Sequence, residues 1–437
     1  MKFLSLAALA LTFAACSSND DELTAQQPAE QPNNGEITIT ATIEAGDGAA
    51  TRALSESGSN IASNYVVGEK IAVLFEYESA QVQRDAEVKS FDGTTATVEF
   101  TIPDDLTGSQ TATLVYPATA VNAAKDGADV ATALATQDGS IDNCPEVRTG
   151  TGTLDASAKT LTVSSALAAQ NGIFQLTLKD IDGANDVSAA SIVISDQTGT
   201  VTTFTPASGC DKVMYVALPT TATTLKFLVT GSDSKKYFNM ASSLSLGANF
   251  YQSTIKLATV GDVILSTGKC AKAGTSGAVA KITYVGSDAE TSTTYNHGLA
   301  LALSDVSSTT KWCSQATATC LGHQYNTSTK FNDLAGIANT DALVSHTDHT
   351  HAAASAARNY NSGTHPTGTS EWFLPSAGQW DKMIGAAGLS NLGLQANAYY
   401  WSSTERSDYN AWHFHSSNGW DNDTKDSNRR VRACLAF

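Results

Sequence analysis

"ITITATIEAGDGAATRALSES", residues 37–57, is a strand followed by a loop. Ile37, Ile39, Ala41 and Ile43 alternate with polar residues, the period-two pattern of a strand with one buried face. The loop behind it is small, polar and glycine-containing, and it carries one cation, Arg52, the only basic residue between Lys2 and Lys70. No proline or bulky side chain flanks the Arg52–Ala53 bond, so the loop offers a protease an open site. A solvated loop charge is the competing reading of the same residue.

The alternation recurs downstream. "KIAVLFEY" (70–77), "TATVEFTI" (95–102), "ATLVYPA" (112–118), "FQLTLKDI" (174–181), "ASIVIS" (190–195), "TVTTFTP" (200–206), "VMYVALP" (213–219), "LKFLVTG" (225–231) and "YQSTIKL" (251–257) are separated by Gly, Asp, Asn and Pro. Short strands with such punctuation predict antiparallel β-sandwiches over residues 53–258, with a division into two near 150–165. The low-complexity stretch 122–140 is expected to be a helix or a long loop.

The first residues, "MKFLSLAALALTFAACSS", join one lysine to an apolar run too short to span a bilayer, the plan of an export signal over 1–15. Phe13-Ala14-Ala15-Cys16 resembles a bacterial lipobox, which implies lipidation of Cys16 and anchoring in the outer membrane. The polar, proline-containing segment after Cys16 suits a tether, so residues 16–52 are expected to be a lipidated tether and a removable first strand. A net charge of −17 without clustered Lys or Arg argues against nucleic acid as a partner. Excluding Cys16, Cys144, Cys210, Cys270, Cys313, Cys320 and Cys434 form an even set in an exported chain, which predicts disulfides without fixing their pairing.

All six tryptophans fall between Trp312 and Trp420, marking residues 259–437 as a separate domain. "AAASAARNYN" predicts a short helix. Ser376 and Gln379 have capping-box spacing at the start of another, with Trp380, Met383, Ile384 and Ala387 as its buried stripe. "AYYWSST", "NAWHFHSS" and "RRVRACLAF" read as strands, and "NGWDNDTKDSN" as the loop before the last.

The order of lipobox, acidic tether, first strand, "AATRA" and about two hundred residues of sandwich resembles the fimbrillin family, subunits of type V pili, over roughly residues 16–258. That resemblance implies transthyretin-like sandwiches and cleavage after Arg52 by an arginine-specific protease. Loss of the first strand would then open a groove that a neighbouring subunit fills by strand addition. Trp372-Phe373-Leu374-Pro375-Ser376, Tyr400-Trp401-Ser402-Ser403, Ala411-Trp412 and Val431-Arg432-Ala433 resemble a bacterial C-type-lectin-like domain, although Phe373 stands where that family has arginine. The expected architecture is therefore mainly β, tandem sandwiches followed by an α+β lectin-like domain. Fold alone does not assign an activity.

Ligand binding is expected in the loops at Tyr409 and Trp420, whose rings offer stacking area to a glycan or protein, with Trp412, His413 and His415 as secondary candidates. Asp421, Asn422 and Asp423 carry oxygens suited to calcium, but the proline-containing partner phrase of calcium-dependent lectins is missing, so a solvated loop is preferred. His346, His349 and His351 are likewise read as a solvated loop. Neither Cys313, Cys320 and Cys434 nor Glu405 and Asp408 assemble a catalytic set, so no enzyme and no cofactor is expected. Two functions compete: a pilus tip subunit with an adhesive domain, partnered by other subunits, and a non-polymerising surface lipoprotein that binds a ligand.

Overall fold

The structure is a computed structural model that describes residues 35–44, 55–57, 60–62, 65–196, 199–222, 224–243, 250–417 and 419–437. Cys16, Arg52 and Ala53 lie outside the described residues. With 45% strand against 13% helix, the chain is mainly β, as the alternating runs require.

After β1 (Glu36–Glu44) comes a small hairpin, β2 (Ser55–Ser57) with β3 (Asn60–Ala62). The first sheet adds β4 (Lys70–Tyr77), β5 (Ala80–Phe91), β6 (Thr95–Pro103), β7 (Ser109–Tyr116), β8 (Arg148–Asp155), β9 (Thr160–Val163) and β10 (Ala168–Ala169). Its order is β1-β6-β5-β4-β7-β8-β10, with β9 paired on β8. β4 sits in the middle and is apolar on both faces. Ile71, Val73 and Phe75 join the main core, while Ala72 and Leu74 pack with Val115, Ala118 and Val147 on the other side. Burial on both faces explains why "KIAVLFEY" reads as a continuous run rather than an alternation. The cover on that second side includes the 122–140 stretch, a loop holding one short helix, α1 (Val130–Leu134), capped by the Asp129 carboxylate. Residues 150–165, expected to divide two modules, instead lie in the paired β8 and β9, because Leu154 and Leu161 belong to the first core.

The second sheet begins at β11 (Asn171–Asp180) and continues through β12 (Ala189–Asp196), β13 (Gly199–Phe204), β14 (Val213–Pro219), β15 (Thr224–Gly231), β16 (Lys236–Ser243) and β17 (Phe250–Thr259). Its order is β13-β12-β15-β16-β17-β11-β14, antiparallel except where β17 runs parallel to β11. Phe174, Leu176, Val216, Phe227 and Val229 fill its core.

The C-terminal part is α+β. One sheet takes β18 (Val263–Leu265), β19 (Cys270–Ala271), β20 (Ala278–Val285) and β21 (Gly298–Ala302); the other takes β22 (Ser307–Lys311), β23 (Tyr399–Glu405), β24 (Asn410–His415), β25 (Gly419–Thr424) and β26 (Asn428–Val431). The last strand, β27 (Cys434–Ala436), returns to pair with β21. Between them lie α2 (Gly336–Ser345), α3 (Ala352–Arg358) and α4 (Ala377–Ala387). α4 carries the expected capping box of Ser376 and Gln379, and Trp380, Met383 and Ala387 are buried with Ile384 half-buried. Phe238 of the second sheet stacks on Phe437 at 4.2 Å, so the two parts share a core.

Candidate functional site

Two places in the fold carry the functional argument, the N-terminal edge of the first sheet and the β23–β26 face of the C-terminal part. β1 is an edge strand. Its backbone ladder runs only to β6, with Ile39 opposite Phe100, Ala41 opposite Val98 and Ile43 opposite Ala96. Ile39, Ala41 and Ile43 are buried in one cluster with those residues and with Leu161 of β9, while the alternating threonines are exposed. Because no strand among the described residues lies beyond β1, its departure breaks one ladder and opens a single apolar groove.

The opposite end of the chain is built differently. β27 pairs with β21 on one side, and on the other Cys434 and Phe373 each donate a backbone N–H to the other's carbonyl at 2.9 Å. Val431, Leu435 and Phe437 are buried.

On the C-terminal face, Tyr409 lies in the β23–β24 turn and is 60% exposed. Trp420 does not lie in a loop. It is in β25, opposite Phe414 and half-buried, because "GWDNDT" pairs residue by residue with β24. Phe414 is opposite Trp420, five residues along the strand from Tyr409, so Tyr409 and Trp420 stand roughly 16 Å apart along the hairpin, at ~3.3 Å per strand residue. They do not line one pocket. Strand geometry also separates the calcium candidates: Asp421 and Asp423 point to one face and Asn422 to the other. Asp423 is ion-paired with Arg429, and the Asn422 Oδ1 accepts from Asn410 Nδ2 at 2.8 Å. The three oxygens do not converge. Trp412, His413 and His415 are all buried, and burial pushes the His413 pKa down to about 4.

The aromatic surface that does form was not legible in the sequence. Phe331, in a turn, meets Trp420 edge-on at 5.3 Å, and the Lys330 ammonium lies 4.3 Å from the Phe331 ring centroid and 5.0 Å from that of Trp412. On the other face, Tyr399 is partly exposed beneath the Arg429 guanidinium, 4.6 Å from its ring. Phe331 comes from a segment with no motif of its own, and Arg429, the first residue of "RRVRACLAF", carries no signal there that links it to Tyr399.

Two further expectations change. The six described cysteines are free, and Cys434 is buried in β27 rather than bridged. His351 is not in a solvated loop. It is 1% exposed and sits beside Cys313 and Cys320, with burial lowering its pKa to about 4. Glu405 and Asp408 hold the intervening loop. Glu405, buried and ion-paired with Lys425, accepts from the Cys320 and Leu321 amides at 3.0 and 2.8 Å, and Asp408 accepts from Thr319 Oγ1 at 2.8 Å.

No family model and no curated protein matches this chain. Among solved structures it is similar to a fimbrial assembly protein from Parabacteroides distasonis, at 12% identity over 50% of this chain and 90% of that one, with a TM-score of 0.30. It is also similar to the tip fimbrial protein Mfa3 from Porphyromonas gingivalis, at 11% identity over 47% of this chain and 81% of that one, with a TM-score of 0.21. The TIE protein of Bacillus anthracis matches at 10% identity over 51% of this chain and 34% of that one, with a TM-score of 0.17. Scores this low carry no functional argument.

Proposed function

We propose that this chain is the tip subunit of a type V pilus, exported as a lipoprotein through Cys16 and displayed at the surface after cleavage at Arg52–Ala53. The observation that carries the reading is β1: an alternating apolar strand at a sheet edge, held by one ladder and followed in the sequence by the segment that contains Arg52. Removal of β1 leaves an acceptor groove for a strand of the next subunit, with main-chain pairing for affinity and alternate side chains for register. The other end accepts nothing and donates nothing. Withdrawing β27 would break two sets of backbone pairs and expose Leu435 and Phe437 to water. A subunit able to accept but not donate ends a fibre, with its C-terminal part, read as lectin-like, facing outward as the adhesive surface for a glycan or protein. The reading involves no catalytic step.

The test is processing in the native cell. Surface fibres should contain this chain beginning at Ala53, with immunogold label at fibre ends, and Arg52→Ala should leave it unassembled. Cys16 still joined to Ala53 in assembled material, or label along the whole shaft, refutes the reading in favour of a non-polymerising surface lipoprotein or a stalk subunit.

A further inference from the structure

We propose that Cys313, Cys320 and His351 form a structural binding site for a zinc-class divalent cation. The two Sγ atoms and a ring nitrogen of His351 all lie within 4.8 Å of one another, and all three residues are buried. In a tetrahedral site with Zn–S near 2.3 Å and Zn–N near 2.0–2.1 Å, such atoms stand roughly 3.5–3.8 Å apart, so a contraction of about an ångström closes the shell. Two thiolates and one imidazole are a donor set for borderline-soft metals, not for calcium or magnesium.

The independent observation is His351 itself. Both of its ring nitrogens are buried without a well-formed hydrogen bond, the Trp312 backbone making only a loose contact. A desolvated imidazole so poorly satisfied is costly, and a metal bond relieves it where a Cys313–Cys320 disulfide would not. Charge also balances. Lys425 Nζ lies 3.8 Å from Cys320 Sγ but is neutralised by Glu405, so two thiolates around a divalent cation leave the pocket neutral. Candidates for a fourth ligand lie in the 346–350 segment that precedes α3. The His346 ring is 5.2 Å from that of His351 and 5.1 Å from that of His349, whose Nδ1 is also buried and unpartnered. His346, His349 or a water completes the shell.

The site would staple the 313–320 loop to the start of α3. Ser314 N already donates to Thr350 O at 2.8 Å, and Ala318 N donates to Asp408 O at 3.0 Å, next to Tyr409. A bound metal therefore fixes the turn that presents Tyr409. This holds whether or not the chain enters a pilus.

The exported chain, purified without chelator, should carry one zinc per molecule by elemental analysis. Replacement with Co(II) should produce a thiolate-to-cobalt charge-transfer band with tetrahedral d–d absorption. Cys313→Ser should abolish the band, and His351→Ala should weaken affinity at least tenfold, whereas His323→Ala should change neither. If Cys313→Ser fails to fold, the wild-type cobalt spectrum still decides the matter. A Cys313–Cys320 disulfide in the native chain with no metal uptake after reduction, or metal binding unchanged by His351→Ala, overturns the proposal.

Discussion

Ile39→Ala tests whether β1 is a packed but detachable element. Ile39 is fully buried opposite Phe100, and removing three carbons from such a site costs about 2–3 kcal/mol, the lower part of the range because an edge strand can settle into the space. That corresponds to a roughly 30- to 150-fold faster exchange of the amides in β1 and β6, if they exchange by local opening. Thr40→Ala, on the exposed face, should leave exchange unchanged. Hydrogen exchange is the right assay because every tryptophan lies at or beyond Trp312, so tryptophan fluorescence is blind to the first sheet. The second half of the test is a nick at Arg52. Burial of Ile37, Ile39, Ala41 and Ile43 is worth about 4–7 kcal/mol in all, while bimolecular association costs about 4 kcal/mol or more. A nicked β1 should therefore bind no tighter than the millimolar range and leave on dilution. Ile39→Ala without effect on exchange would refute the packing argument. Continued protection of residues 36–44 in a dilute, nicked sample would refute detachment.

Three other outcomes follow from buried groups. Glu405→Gln or Lys425→Met alone should destabilise the C-terminal part by about 3–5 kcal/mol, because each strands a buried charge, whereas the double variant should recover most of the loss; thermal unfolding followed by tryptophan fluorescence reads it. His297 and His413 are held neutral by burial, with pKa values down at about 4 against 6.5 unfolded. The unfolded chain binds more protons below 6.5, so stability should fall as pH drops from 6.5 towards 4 and be flat above, and His413→Phe should shallow that slope in a urea-titration series. Truncation after Ala433 should unfold the C-terminal part, since β27 is paired on both sides, yet leave exchange in β4 and β7 unchanged.

What the sequence made legible was local and periodic. β1 and α4 could be read because a period-two alternation and a capping box are written in neighbouring residues. β25 was not, because "GWDNDT" has the composition of a turn, and only pairing with β24 makes it a strand. Tertiary context overrode propensity there. The site residues suffered from the same limit. Trp420 was singled out by type, but its partner Phe331 is remote in sequence and carries no motif. The division expected near 150–165 lies a few residues further on, between β10 and β11, because Leu154 and Leu161 keep β8 and β9 in the first core.

The Cys313, Cys320 and His351 cluster shows why sequence spacing alone misleads for metal sites. Six residues lie between the cysteines and a further thirty between Cys320 and the histidine, a pattern that fits no short ligand motif. Three contacts remote in sequence bring them together. The Glu405 carboxylate holds the Cys320 and Leu321 amides, Asp408 holds Ala318 and Thr319, and Ser314 meets Thr350. Two of the three anchors, Glu405 and Asp408, belong to the β23–β24 edge beside Tyr409, and the third lies just before α3. The same loop architecture therefore sets the cysteine pair and the most exposed aromatic on that face. Loosening it through Glu405→Gln should reach both: cobalt affinity should fall, and limited proteolysis in the turn at Tyr409 should accelerate, whereas Lys330→Ala, on the other side of Trp412, should alter neither.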